Sequence, residues 1–335
     1  MTIDFRSFIE SKPAVLQANP DVVDLTELNV VSAYSHLRAQ PSQESLPEKA
    51  HRCHLAEFWL DAMGISRALK RQALVSQGVR HSLSLLFVGY AKTGMQLCLP
   101  ADVYPVYLDL AASAGVEVST YLASERITIE KIGKADILLI TNPAKPWGTL
   151  LSEEEVAVVK MWLEGDKRRR VIVDAVYTWE QQLNSQTMEL FATGQAFVLH
   201  SLSKGWLYPL VLGIALVPEQ DVEAWTPRFH AALSDQERLR FAHFLLTQHA
   251  DFPTSLPSVF ALAESRLRAL LLEKCVRISD NASAPIRYHF VIQRPWSELL
   301  KHNGILALPA CIFGYPFNEL SIVTSLPQPA RSITF

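Results

Sequence analysis

A lysine closes the tetrapeptide Ser201-Leu202-Ser203-Lys204, directly after an apolar run. A primary amine so placed can attack a carbonyl carbon and afterwards carry a proton. A second apolar run ends in an acid, within Val173-Asp174-Ala175-Val176-Tyr177, with a tyrosine three residues beyond it. A third is followed by Asn142-Pro143-Ala144-Lys145-Pro146-Trp147-Gly148, an N-P-x-x-P-x-G turn in which Lys145 and Trp147 face either a substrate or ordinary solvent and packing. Upstream, Ser76-Gln77-Gly78 opens a helical pattern, and the unpaired amides of a helix N-terminus suit a phosphate group. Each feature alone is compatible with a plain turn or a solvated loop. In this chain order they form a stronger signal: a phosphate cradle, an acid and an amine.

The elements that must position these groups follow from the apolar pattern. Short apolar runs alternate with longer helical stretches over roughly residues 75–218, which predicts a mostly parallel sheet covered by helices. Strands are expected over Met95 to Leu99, Ile137 to Thr141, Val171 to Val173, Ala196 to His200 and Leu212 to Val217. Ser152-Glu153-Glu154-Glu155 reads as a capping box, followed by Val156, Val159 and Trp162 on one helical face. Beyond residue 220 the pattern changes. A polar helix over Glu223 to Gln248, a longer one over Ser258 to Cys275, and strands at Tyr288 to Gln293, Ile305 to Leu308 and Leu320 to Thr324 predict a smaller α+β unit. The expected division is a large domain over residues 40–235 and a small one from residues 1–39 and 236–335. Open α/β sheets bind ligands at the carboxyl ends of their strands, where three of the four motifs fall.

In their order and spacing these motifs resemble the class I/II aminotransferases of the aspartate-aminotransferase type, which share pyridoxal-phosphate (PLP) fold type I. The resemblance covers roughly residues 70–218 and continues through Leu308-Pro309-Ala310-Cys311-Ile312-Phe313-Gly314. It implies pyridoxal 5′-phosphate as cofactor, with Lys204 holding its aldehyde as a Schiff base and later moving a proton at the substrate α-carbon. Asp174 would keep the pyridine nitrogen protonated, so that the ring works as an electron sink. Asn142 and Tyr177 match the donors to the ring's phenolic oxygen. Gly78 and Val79 match the phosphate-binding amides, Ser201 matches the serine of S-x-x-K, and Ser203 is a further phosphate candidate. Pro100-Ala101-Asp102-Val103-Tyr104-Pro105 resembles the family's P-x-Y-P segment, which sets Tyr104 flat against the ring.

Two positions depart from that pattern. Eight residues after the lysine, where the family carries a phosphate-binding arginine, stands Leu212; Arg80, two residues past Gly78, is the candidate to compensate. The family's carboxylate-binding arginine aligns with Glu319 in Asn318-Glu319-Leu320-Ser321, or, with a longer gap, with Arg331 in Arg331-Ser332-Ile333. Glu319 in that place implies a substrate with a cationic or neutral group there; Arg331 implies an ordinary α-amino acid.

Composition bounds the rest. With 31 basic and 34 acidic residues the net charge is −3, so no electrostatic footprint for nucleic acid or an anionic membrane is expected. The four cysteines form no C-x-x-C pair, and no apolar run is long enough to span a bilayer, which predicts a soluble cytoplasmic protein. His51, Cys53 and His54 stand close together without a second cluster, so no metal site is expected. The expected function is a PLP-dependent aminotransferase acting on an amino acid or amine in a specialised biosynthetic pathway, with a small-molecule donor and acceptor and, by family habit, a homodimer. A decarboxylase, lyase or oxidase on the same fold, and a PLP-binding protein without catalysis, stay open as alternatives.

Overall fold

The computed structural model describes residues 4–179, 182–231, 235–278 and 288–328. Seven strands make the main sheet: β1 (Ala73–Ser76), β2 (Leu97–Pro100), β3 (Val118–Tyr121), β4 (Ile137–Thr141), β5 (Arg170–Asp174), β6 (Ala196–Ser201) and β7 (Gly213–Leu216). Their order is β1-β7-β6-β5-β4-β2-β3. All neighbours are parallel except β7, which runs antiparallel to both β1 and β6. The longer helices of the chain are α1 (Phe5–Ala18), α2 (Arg52–Ala62), α3 (Val79–Ala91), α4 (Val106–Ala114), α5 (Glu153–Glu164), α6 (Ser185–Ala192), α7 (Val222–Ala231), α8 (Gln236–Gln248), α9 (Leu256–Glu273) and α10 (Trp296–Asn303).

The sheet is buried on both faces, as a parallel sheet must be. Successive side chains of a strand point to opposite sides. Leu138, Ile140, Val171, Val173 and Val198 therefore join Trp59 and Leu60 of α2 and Val156 and Val159 of α5 in one core. Ile137, Leu139, Ile172, Phe197 and Leu199 join Leu86 and Phe87 of α3 and Trp225 and Phe229 of α7 in the other. The capping box of α5 forms as expected: Ser152 Oγ accepts from Glu155 N, and Glu155 accepts from Ser152 N. The expected strand at Ile137 to Thr141 is found with those bounds, and the others shift by one or two residues. β3 escaped the apolar pattern because it is an edge strand whose Ser119 and Thr120 are exposed.

Instead of one helix over residues 223–248 there are two, α7 and α8, the second capped by Asp235. Leu239, Phe241, Ala242, Leu245 and Leu246 of α8 belong to the same core as α2 and the main sheet, so that core extends past residue 235. Three further strands, β8 (His289–Ile292), β9 (Leu308–Pro309) and β10 (Ser321–Thr324), form an antiparallel sheet in the order β9-β10-β8. Leu267 and Leu271 of α9 and Leu299 of α10 cover it through Phe290, Ile292 and Val323. Val23–Asp24 pairs in parallel with Ile305–Leu306, which ties the N-terminal segment to this smaller unit.

Candidate active site

The parallel pairing of β4, β5 and β6 sets their carboxyl ends side by side. Thr141 is in register with Asp174, and Asp174 with Leu199. Asn142, Asp174 and the segment from Ser201 to Lys204 therefore meet at one edge of the sheet. Asp174 is 5% exposed. Its Oδ2 accepts from the Tyr107 hydroxyl at 2.6 Å and its Oδ1 from Val176 N at 3.1 Å. Burial outweighs those two hydrogen bonds and pushes its carboxyl up to about 6.

Lys204 lies in a single helical turn, Leu202–Gly205, that begins where β6 ends. It is half-buried, and its amine has no hydrogen-bond or carboxylate partner among the described residues. Burial, and secondarily the charge of Arg80, brings the amine down to about 8. Tyr177 sits in the turn after β5, with burial raising its hydroxyl well above the usual range. Its ring meets Tyr288 edge to face at 6.3 Å between centroids, and the Lys145 Nζ lies 5.2 Å from its centroid. Tyr104 is half-buried and accepts from Arg80 Nε at 2.8 Å; its ring lies 5.5 Å from that of Tyr107.

The cradle upstream is built around Gly78, whose φ of +96° suits glycine alone and which caps α3 without any side-chain cap. The first amides of α3, from Val79 onward, are thereby left for another acceptor. A side chain at Gly78 is also excluded sterically, since its Cβ would lie 2.5 Å from Val211 Cγ1. Val211 itself holds a left-handed φ of +57°, and Leu207 one of +50°. For a β-branched residue this is an outlier costing on the order of 1–3 kcal/mol, carried by the turn between Lys204 and β7.

The structure redistributes several roles. Asn142 is fully buried, and its side-chain amide is engaged throughout: Nδ2 donates to Asn184 Oδ1 (2.9 Å) and Thr187 Oγ1 (3.0 Å), and Oδ1 accepts from Leu151 N (3.1 Å). In this structure both amide protons of Asn142 are engaged with protein, and the side chain ties down the loop that follows β4. Ser201 Oγ gives its proton to the Leu212 carbonyl (3.2 Å) and accepts from Ser203 N (3.1 Å). Of the two serines, Ser203 is the one whose buried hydroxyl has no partner among the described residues. Leu212 is wholly buried, and Arg80 is exposed with its guanidinium directed at Tyr104.

Glu319 does not stand in a desolvated cleft. It is exposed, and its Oε1 accepts from Tyr315 at 3.4 Å, a carboxylate that water can solvate. Arg331 lies outside the described residues. Two contributors were missed. Tyr107, in the first turn of α4, comes three residues after Tyr104, which precedes that helix, and their rings meet at 5.5 Å. His289 of β8 has no such signal, because its neighbours are distant in sequence. It is 3% exposed, neither ring nitrogen has a partner among the described residues, and burial with the nearby Lys145 and Lys204 holds it well below the ordinary imidazole range. Beside it Tyr34, Trp179, Phe260 and Tyr288 form an aromatic cluster, with centroids 4.9 Å apart for Trp179 and Phe260.

Comparison with known proteins places this edge in context. Over 274 residues the chain is 23% identical to a valine–pyruvate aminotransferase of Mycobacterium tuberculosis, covering 72% of this chain and 67% of that one. It is 25% identical over 156 residues to an aspartate aminotransferase of Musicola paradisiaca, covering 42% of this chain and 38% of that protein, well under two thirds of its length. Among solved structures, the methionine aminotransferase YbdL of Escherichia coli superposes with a TM-score of 0.73 at 16% identity, covering 96% of this chain and 93% of that one. A Thermus thermophilus aspartate aminotransferase double mutant gives 0.70 at 16% identity, with 98% and 94% covered. The fold is thus the aspartate-aminotransferase type, PLP fold type I. The family model for aminotransferase class I and II matches residues 11–241, more than half of the chain, and the chain belongs to that family.

Proposed function

We propose that this protein is a PLP-dependent aminotransferase acting on an amino acid or an amine. The observation that carries the reading is the free Lys204 amine on the same strand edge as the buried Asp174 carboxylate. The residues present fit the group. Asp174 is a carboxyl whose burial leaves it short of a cationic partner, which a protonated pyridine nitrogen would be. Ser203 Oγ is a buried hydroxyl without a partner among the described residues, and the uncapped start of α3 offers the amides of Gly78 and Val79. Together with Arg80 they would hold a phosphate, Ser201 fixing the turn that presents Ser203. Tyr104 would lie against the ring, and the Tyr177 hydroxyl would donate to the phenolic oxygen.

Pyridoxal 5′-phosphate, when bound, supplies an aldehyde that captures amines and a ring that withdraws electrons. Lys204 would hold the aldehyde, and, once freed by a substrate amine, would be the group placed to take and return a proton at the substrate α-carbon. An amine lowered to about 8 is neutral in a useful fraction near neutral pH, which that task requires. Asp174 would keep the ring nitrogen protonated, with Tyr107 holding its carboxylate oriented, and Asn142 fixes the loop after β4 through the Leu151 amide.

The finer expectations rest on family habit and chemistry: a homodimer, a small-molecule donor and acceptor, a specialised biosynthetic role, and the cytoplasm, which four free cysteines favour. The division into a large and a small domain also stands as a proposal, with α8 grouped with the large one on its packing. A panel of amino donors tests the activity. Keto product formed once per site without an acceptor, and repeatedly with one, is expected. Release of carbon dioxide, ammonia or peroxide instead would replace transamination by decarboxylation, elimination or oxidation, and no product from cofactor-loaded protein would remove catalysis.

A further inference from the structure

Lys145 is a second amine beside Lys204. It stands in the loop after β4, between Pro143 and Pro146. Three contacts fix that loop: Ala144 N to Thr149 O (2.8 Å), Trp147 Nε1 to Asp102 O (2.8 Å), and Leu151 N to the Asn142 side chain (3.1 Å). Lys145 is half-buried, and its Nζ lies 5.2 Å from the centroid of the Tyr177 ring. Tyr177 in turn meets Tyr288 at 6.3 Å, and Tyr288 meets His289 at 4.4 Å. Lys145 is therefore on the large-sheet side of the space between Lys204 and β8. Among the described residues no carboxylate pairs with it. Its charged neighbours are other bases, and burial with the Lys204 charge holds its amine well below the ordinary range.

A half-buried cationic side chain with no acid beside it among the described residues is costly unless a ligand brings the acid. Of the positions expected to bind a substrate carboxylate, Glu319 is an exposed acid. We propose that Lys145 is the group that recognises the carboxylate of the substrate, which makes the substrate an amine carrying an acid group close to its reacting nitrogen. This rests on the cofactor reading above. An arriving anion raises the amine's proton affinity, so the lysine is charged when it is needed. Tyr177 supports the charge through its ring face.

Two reagents that attack the cofactor aldehyde separate this role from a structural one: aminooxyacetate, which carries a carboxylate, and O-methylhydroxylamine, which does not. Wild-type protein should react with aminooxyacetate at much lower concentration. Lys145→Met should cut that advantage about tenfold or more and leave O-methylhydroxylamine unaffected, while Lys145→Arg should keep most of it. In cofactor-free wild-type protein, succinate should slow trinitrophenylation of Lys145 but not of the exposed Lys92. An unchanged advantage in Lys145→Met, or no protection by succinate, overturns the inference alone. A wild-type protein with no visible chromophore and no reaction with either reagent overturns the cofactor reading and this inference with it.

Discussion

The carboxyl edge of β4, β5 and β6 and the edge of the small sheet face the same space but are built differently. At the first edge most polar groups are engaged with protein, and Thr141 Oγ1, Thr178 Oγ1 and Ser203 Oγ are buried without a partner among the described residues. Asn142, Ser201 and Tyr107 are engaged with protein, while Lys204 and Ser203 are not. At the second, Glu319 is solvated, Phe317 is 56% exposed, and the inward-facing His289 and Thr324 Oγ1 have no partners among the described residues. On the function proposed above, the first edge would hold the cofactor and also carry Lys145, which shares its surroundings with His289 of the second edge.

The largest effect should come from the first edge. Asp174→Asn keeps the shape and the Tyr107 contact but removes the charge, and turnover should fall about 10²–10³-fold or more. Wild-type turnover would make the carboxylate structural. The same variant carries a pH signature in cofactor-free protein. The Asp174 carboxyl is raised from 3.8 to about 6, so the folded chain binds its proton more tightly than the unfolded chain does. The stability this contributes is complete below about pH 4 and is lost as pH rises through about 6, an effect on the order of 3 kcal/mol. Denaturation measured across that window should show the loss in wild type and not in Asp174→Asn.

Next in size is the anchor of the loop. Asn142→Ala leaves the Leu151 amide and the Asn184 and Thr187 side chains short of partners in a buried place, which should lower stability by about 2–4 kcal/mol. If Asn142 touched the cofactor instead, the change would appear in cofactor affinity at nearly unchanged stability. Arg80→Ala should raise the PLP dissociation constant about tenfold, through loss of one cation at the phosphate. An unchanged constant would leave the amides of α3 and Ser203 to hold it. The smallest effect belongs to the second edge. Glu319→Gln should alter neither KM nor stability by more than about 0.5 kcal/mol, because an exposed charge is screened. A sharp change in KM for a cationic substrate would return Glu319 to the site.

The same contrast explains what the sequence reveals. Lys204, Asp174 and Gly78 each lie at the end or start of an element that a short apolar run announces, so motif and element confirm one another. Their places in the fold follow from strand register, which the β4 to β6 pattern dictates. Asn142 shows the limit of that reasoning: its place at the strand edge was legible, but its hydrogen bonds to Asn184 and Thr187 were not, because they depend on how α6 docks. The engagement of the Ser201 hydroxyl was hidden for a similar reason, since the Leu212 carbonyl reaches it only after β7 folds back. His289 and the aromatic cluster were invisible, because no periodicity links residues 34, 179, 260 and 288. Glu319 was placed by counting along a strand, which gives no information on whether a loop residue turns inward.

The most direct measurement joins the cofactor to the chain. The purified protein should be yellow, and borohydride should make the colour-bearing group permanent. Peptide mapping after digestion should then find the label on Lys204. A label on Lys145 or on any other lysine, or a protein that takes up no cofactor at all, would contradict the account.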